Sequence, residues 1–87
     1  MSAPKNILLQ AVDLALAGDW DAAHNLVQQF DGDANAAWIH AVLHKIEGDL
    51  SNSRYWYQRA GLTDHVKEEP RAELAAIKTK LTSVGDA

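Results

Sequence analysis

The chain has 87 residues, a net charge of −4, 47% hydrophobic residues and no cysteine. This length suits one domain, and the missing cysteines exclude disulfides, thiolate nucleophiles and cysteine-ligated zinc. The negative net charge argues against a nucleic-acid partner. Because the sequence has neither an apolar run of about 18 residues nor a secretory signal pattern, we expect a soluble cytoplasmic protein that does not enter a membrane.

The first part of the chain predicts two helices joined by a tight turn. The first is predicted over 4–17, where Gly18 ends it, and its apolar residues cover most of its circumference. That distribution is typical of a helix buried on several sides. The second is predicted over 20–30 with Asp19 as its N-cap. One face of this second helix is apolar and the opposite face is polar.

The middle of the chain predicts a second pair of helices with the same punctuation. One helix is expected over 35–47 and ends at Gly48. The next is expected over 50–60, with Asp49 or Ser51 as its N-cap. The first helix of this pair has an apolar face formed by Trp38, Ile39, Val42, Leu43 and Ile46.

The last part of the chain predicts a single helix over 69–83. Pro70 lies at its start, and 63–69 reads either as a loop or as a short helical turn. Only one narrow apolar stripe runs along this helix: Leu74, Ile77, Leu81 and Val84. One stripe means one buried side, which is typical of a helix that caps a stack. No segment alternates with a period of two residues, so we predict no strand.

The two helix pairs repeat each other. A shift of 30 positions places Gly18-Asp19 on Gly48-Asp49 and aligns apolar residues on both sides of the turn. Self-similarity of this length is typical of stacked helical hairpins. We therefore predict an all-α fold of five helices in one domain over 1–87: two stacked hairpins at 4–30 and 35–61, and a capping helix at 69–83.

The second hairpin resembles a tetratricopeptide repeat. The residues that carry the resemblance are Trp38, Gly48, Ser53, Tyr57 and Ala60. The stretch from Trp38 to Gly61 also looks like small bacterial proteins of unknown function. The tetratricopeptide resemblance implies a binding scaffold in which the first helix of each hairpin lines a concave face that takes up peptides.

One polar stripe on the third predicted helix is a candidate binding site. His40, His44 and Glu47 are spaced i, i+4 and i+7 and share a face, and the repeat register places Gln10 and Asp13 on the neighbouring first helix. These five side chains would line a groove for a protein or peptide. Alternatively, His40 and His44 bind a divalent metal with Asp13 or Glu47, as a site that could be hydrolytic. A structural interpretation stays open beside these: solvated imidazoles, with His44 bonded to Glu47 or Asp13.

Two further positions are of interest. His24 is expected to be a packed histidine with one hydrogen bond, and it could be a third metal ligand only if its helix faced the polar side of the next one. Tyr55, with Arg59 one turn on, is interpreted either as an exposed interface anchor or as a tyrosine half-buried under the terminal segment.

No side-chain spacing indicates a catalytic nucleophile. The sequence therefore predicts a protein-interaction module without a cofactor, whose partner is another protein, a peptide or a second copy of the chain.

Overall fold

Helices form almost the whole of this computed structural model, which describes residues 3–82. The five α-helices are α1 (Lys5–Leu16), α2 (Trp20–Val27), α3 (Ala34–Glu47), α4 (Leu50–Ala60) and α5 (Pro70–Thr82), with 3-10 turns at Gln28–Phe30 and Thr63–His65. No strand is present between residues 3 and 82, so the prediction of an all-α protein with five helices is confirmed. Ser83 and Val84, predicted to end the last helix, lie outside the described residues.

Aspartate caps and glycines set the helix ends. Asp19, Asp33 and Asp49 each precede a helix, and the carboxylate of each accepts a hydrogen bond from the backbone N–H three residues later. The cap at Asp33 starts α3 one residue earlier than predicted. Pro4 is the N-cap of α1 and not part of its first turn. Gly48 ends α3 with φ +88°, a left-handed conformation that disfavours other residues.

Helix α3 is the central element of the core. Every residue from Ala36 to His44 is buried, because α3 packs against each of the other four helices. Ile46 was expected on the apolar face but is 44% exposed. The remaining core side chains come mainly from the apolar faces of the other helices: Leu8, Ala11, Val12, Ala23, Val27, Tyr57, Leu74, Ile77 and Leu81.

Helix α5 lies against both α1 and α3. Its predicted stripe is buried at Leu74, Ile77 and Leu81. At its outer edge Lys78 Nζ donates to Asp13 Oδ1 of α1 at 2.9 Å, and Arg71 Nη1 donates to the carbonyl of Leu16 at 3.0 Å. The last helix thus covers the side of the molecule where α1 and α3 meet.

A buried carboxylate fixes the inner face of α5. Glu73 is fully buried and accepts hydrogen bonds of 2.7 Å from Trp38 Nε1, Tyr57 Oη and Lys45 Nζ. Burial and the hydrogen bond to Glu73 raise the pKa of Tyr57, which therefore stays a donor. Lys45 also donates to three backbone carbonyls of the segment before α5. A charge pair this deep is tolerable because its hydrogen bonds are satisfied.

Within the part of the chain just described, no helix combines the length and the apolar character needed to span a membrane.

Candidate functional site

Three imidazole rings from two helices meet on the side of α3 away from α5's buried carboxylate. His40 and His44 lie one turn apart on α3, and His24 comes from α2. One nitrogen of each ring lies within 4.8 Å of the other two, and the Nε2 atoms of His24 and His40 are 3.0 Å apart. We call His24, His40 and His44 the histidine cluster.

The turn before α2 brings His24 to this position. Gly18, with φ +87°, reverses the chain, and Asp19 then caps the new helix. This places Trp20 in the first turn and His24 one turn later, so both rings project from the same face of α2. Trp20 Nε1 donates to the Leu43 carbonyl on α3 at 2.7 Å, which ties the two helices together beside the cluster.

Aromatic rings enclose the cluster. The Trp20 ring stacks on His24 with centroids 4.7 Å apart. On the α4 side, Trp56 stacks on His40 at 3.9 Å, and His40 in turn stacks on His44 at 4.9 Å. Stacking and burial therefore fix the orientation of the His40 ring, whose Nδ1 is buried without a hydrogen-bond partner among residues 3–82.

Two rings of the cluster, His24 and His40, are held in the neutral form. Burial above all, together with the neighbouring His24 and His44, lowers the pKa of His40 to about 3. Burial and His44 also lower the pKa of His24, although the carboxylates of Glu47 and Asp21 oppose this effect. At neutral pH both rings consequently keep an unprotonated nitrogen, the form that binds metal ions.

Glu47 orients the third ring. Its Oε2 lies 2.7 Å from Nδ1 of His44, within one helical turn. Of the two partners predicted for His44, Glu47 and Asp13, the structure selects Glu47, and Asp13 instead pairs with Lys78. If the Nδ1–H donates to this carboxylate, the lone pair of His44 is on Nε2, the arrangement usual for a metal-binding histidine.

The structure does not gather all five residues of the predicted groove. His40, His44 and Glu47 share a region of α3, but Gln10 and Asp13 are exposed on α1. Asp13 pairs with Lys78, because α5 covers the place where α1 and α3 meet. Nor are His40 and His44 solvated imidazoles, as one interpretation held: both are buried, by α2 and α4.

Tyr55 and Arg59 lie together on the outer face of α4. Tyr55 is 50% exposed, and Arg59 Nη1 lies 3.3 Å from its hydroxyl oxygen. The guanidinium also lies over the Trp56 ring, 5.3 Å from the centroid, and donates to the Asp31 carbonyl at 3.2 Å. Among residues 3–82 Tyr55 is therefore exposed, and its role as an interface anchor stays a prediction.

Two other groups of candidate ligands are already engaged. Asp49, which lies near His44 and Glu47, caps α4 and accepts from Asn52 and Ser51. The second group joins His65 and Glu68 to Glu73, whose two oxygens are held by the buried network described above. The histidine cluster is therefore the stronger candidate site.

The sequence predicted His24 as a ligand only on the condition that α2 faces the polar side of α3, and it did not predict the burial of Glu73. The signal for His24 was its place one turn after Trp20 at the edge of an apolar face. For Glu73 the signal was its spacing of four residues from Ile77 on the buried stripe, together with two aromatic donors that needed an acceptor.

Comparison with known proteins gives no relative: no family model, no curated protein and no solved structure matches this chain. The resemblances to tetratricopeptide repeats and to small bacterial proteins thus stay predictions from the sequence, and the candidate function depends on the geometry above.

Proposed function

We propose that this protein binds a divalent transition-metal ion of the zinc class through His24, His40 and His44. The observation that carries the proposal is the approach of three imidazoles within 4.8 Å, with two nitrogens only 3.0 Å apart. Nitrogens that share a tetrahedral zinc ion at 2.0–2.1 Å are about 3.3 Å apart. Small rotations of the rings would bring the cluster to this spacing.

The donor set favours some ions over others. Imidazole nitrogens suit zinc, nickel and copper, whereas magnesium and calcium prefer oxygen ligands. Glu47 would support the site by accepting from the Nδ1–H of His44 and keeping its Nε2 free. Three protein ligands leave a fourth position for water or another donor.

One feature limits the affinity. Coordination through Nε2 of His40 requires the ring hydrogen to be on Nδ1, a buried atom with no acceptor among the described residues. An unpaired buried donor costs about 1–3 kcal/mol. We therefore expect zinc to bind about 5- to 150-fold more weakly than it would if this donor had an acceptor.

Calorimetric titration of chelator-stripped protein with zinc tests the proposal. We expect one ion per chain, no heat with magnesium, and loss of binding in His24→Gln, whose side chain is only half-buried. The matched control is His65→Gln, because His65 lies outside the cluster and its loss should leave binding unchanged. Glu47→Gln should weaken zinc binding about 10- to 100-fold. Zinc binding of equal strength in His24→Gln and the unmodified protein would refute the site.

A second candidate function is the expected interaction module in its self-pairing form, through the aromatic surface of α4. The large apolar side chains left most exposed in residues 3–82 are Ile46, Leu50 and Tyr55, all between the end of α3 and the middle of α4. An exposed tyrosine with an arginine beside it is a frequent interface anchor. Self-association is the first form to test: sedimentation should show a mass that rises with concentration and falls to the monomer in Tyr55→Ser. A monomer at every concentration would exclude it.

A further inference from the structure

Two tryptophans flank the histidine cluster, one from each of the helices that cover this side of α3. Trp20 on α2 stacks on His24 with an angle of 11° between the ring planes, and it also makes a T-shaped contact with His44, with centroids 5.9 Å apart. Trp56 on α4 stacks on His40 with an angle of 14° between the planes. The α2 side and the α4 side of the cluster are therefore each covered by an indole ring.

Neighbouring groups hold both indole rings in place. Trp20 Nε1 donates to the carbonyl of Leu43 at 2.7 Å. The Trp56 ring meets the Tyr55 ring at 88°, with centroids 5.2 Å apart, and the Arg59 guanidinium lies 5.3 Å from its centroid. A side chain whose rotamer is fixed by its neighbours keeps its position when a ligand binds beside it. We therefore expect both rings to limit the space around a bound ion.

Solvent reaches the cluster mainly at His24. His40 and His44 are only 4% and 8% exposed, whereas His24 is half-buried. Among residues 3–82 no cavity lies beside the three rings. An ion held by three imidazoles needs one more ligand to become tetrahedral and three more to become octahedral. A single water on the side of His24 meets the first need, but the enclosed side of the cluster has no space for two further waters.

We propose that Trp20 and Trp56 make the site selective for divalent ions that accept four ligands, zinc and cobalt, over nickel, whose tetragonal geometry needs additional ligands. This inference rests on the proposed metal site. Donors that leave the rest of the coordination sphere open bind cobalt less tightly than nickel. The two indole rings reverse this order because they keep out the waters that nickel would take as its further ligands. Both tryptophans are specificity-determining residues that contact the histidines.

Cobalt reports its own number of ligands. A four-coordinate cobalt ion absorbs visible light strongly because its surroundings lack a centre of symmetry, whereas a six-coordinate ion absorbs weakly. Chelator-stripped protein at pH 7.5 is titrated with zinc, cobalt and nickel in separate calorimetric experiments, and the visible spectrum of the cobalt form is recorded. We expect strong cobalt bands and a larger association constant for cobalt than for nickel, the reverse of the usual order.

Variants of Trp56 test whether the indole ring causes the selectivity. Trp56→Ala opens the α4 side of the cluster, so the cobalt bands should weaken and nickel should bind more tightly than cobalt. Trp56→Phe is the conservative variant, and its stacked ring should preserve both the strong bands and the order. Trp20→Ala tests the α2 side in the same way and does not depend on the folding of the Trp56 variants. Strong bands and an unchanged order in either alanine variant would overturn the role of that tryptophan.

The zinc titration separates the two claims. Absence of zinc binding at pH 7.5 would remove the proposed function, and the selectivity with it. Zinc binding accompanied by weak cobalt bands, or by nickel bound more tightly than cobalt in the unmodified protein, would overturn the selectivity alone.

Discussion

Glu73→Gln tests whether the buried network holds α5 in place. The substitution keeps the shape of the side chain and an acceptor for Trp38 and Tyr57, but it removes the counter-charge of Lys45, whose side chain is 11% exposed. Leaving one member of a buried ion pair uncompensated costs about 3–5 kcal/mol, and the retained hydrogen bonds place this variant near 3 kcal/mol. A chain of this length has a total stability of about 4–13 kcal/mol, so the loss is a large fraction of it.

Urea unfolding followed by circular dichroism measures this loss of unfolding free energy. In a thermal scan of the same variant, the melting temperature should fall by about 12–24 °C. Glu68→Gln is the matched control: its side chain is 46% exposed, and we expect a change below about 0.5 kcal/mol. Adding Lys45→Met to Glu73→Gln removes the orphaned charge and should recover at least half of the loss. A cost for Glu73→Gln no larger than that of Glu68→Gln would refute the account of the network.

Three other predictions concern pH, the turns and the α3/α4 contact. The pKa of His40 is about 3 in the folded protein, below its unfolded value of 6.5. The metal-free protein should therefore lose stability as the pH falls from 6.5 toward 3, by about 2 kcal/mol at pH 5. Urea unfolding at several pH values measures this loss, and stability should depend less on pH in His40→Gln. Gly48→Ala should cost about 1 kcal/mol of stability through backbone strain alone, since an added Cβ meets no atom within 4 Å. Gly32→Ala should cost nothing, because a Cβ there also meets no atom within 4 Å and the backbone has no positive φ. Equal melting temperatures for the two variants would contradict this account. Ser53→Ala removes a buried 2.8 Å hydrogen bond to the Ala41 carbonyl and should cost about 1 kcal/mol in the same unfolding assay, whereas no change would show that the hydroxyl is dispensable.

Helix positions could be predicted from the sequence because their signals are local. The glycine and aspartate at each turn act within a few residues, through a left-handed backbone and a carboxylate cap. Where the cap was overlooked, at Asp33, the predicted start of α3 was wrong by one residue. The 3-10 turn at Gln28–Phe30 was read as part of a longer helix, because periodicity cannot distinguish a last tight turn from helical continuation.

The candidate site could be predicted only in part, because a helical wheel gives angles and not neighbours. Spacing alone showed that His40 and His44 share a face. Which helix covers that face depends on tertiary packing, and the repeat register suggested α1 where the structure has α2 and α4. His24 was thus weighed as a distant ligand although its Nε2 lies 3.0 Å from that of His40.

Glu73 shows the same limit for a charged residue. A glutamate in the first turn of a helix reads as solvated, since carboxylates are rarely buried without a partner. Its partners, Lys45 on α3 and Tyr57 on α4, are far away in sequence. They can be identified as partners of Glu73 only when the packing of α3, α4 and α5 is known. Only the inventory of buried donors indicates that such an acceptor must exist.

The contact between α5 and α1 has a consequence for the order of events when the chain folds. Helices α3 and α4 are separated by a two-residue connection and can meet early, whereas the ion pair of Asp13 with Lys78 joins residues 65 positions apart. Closing so long a loop costs conformational entropy, which the contacts between α1 and α5 offset only after both helices have formed and met. We therefore expect docking of the last helix to follow the rate-limiting barrier, so that breaking this ion pair would hasten unfolding and leave the refolding rate unchanged.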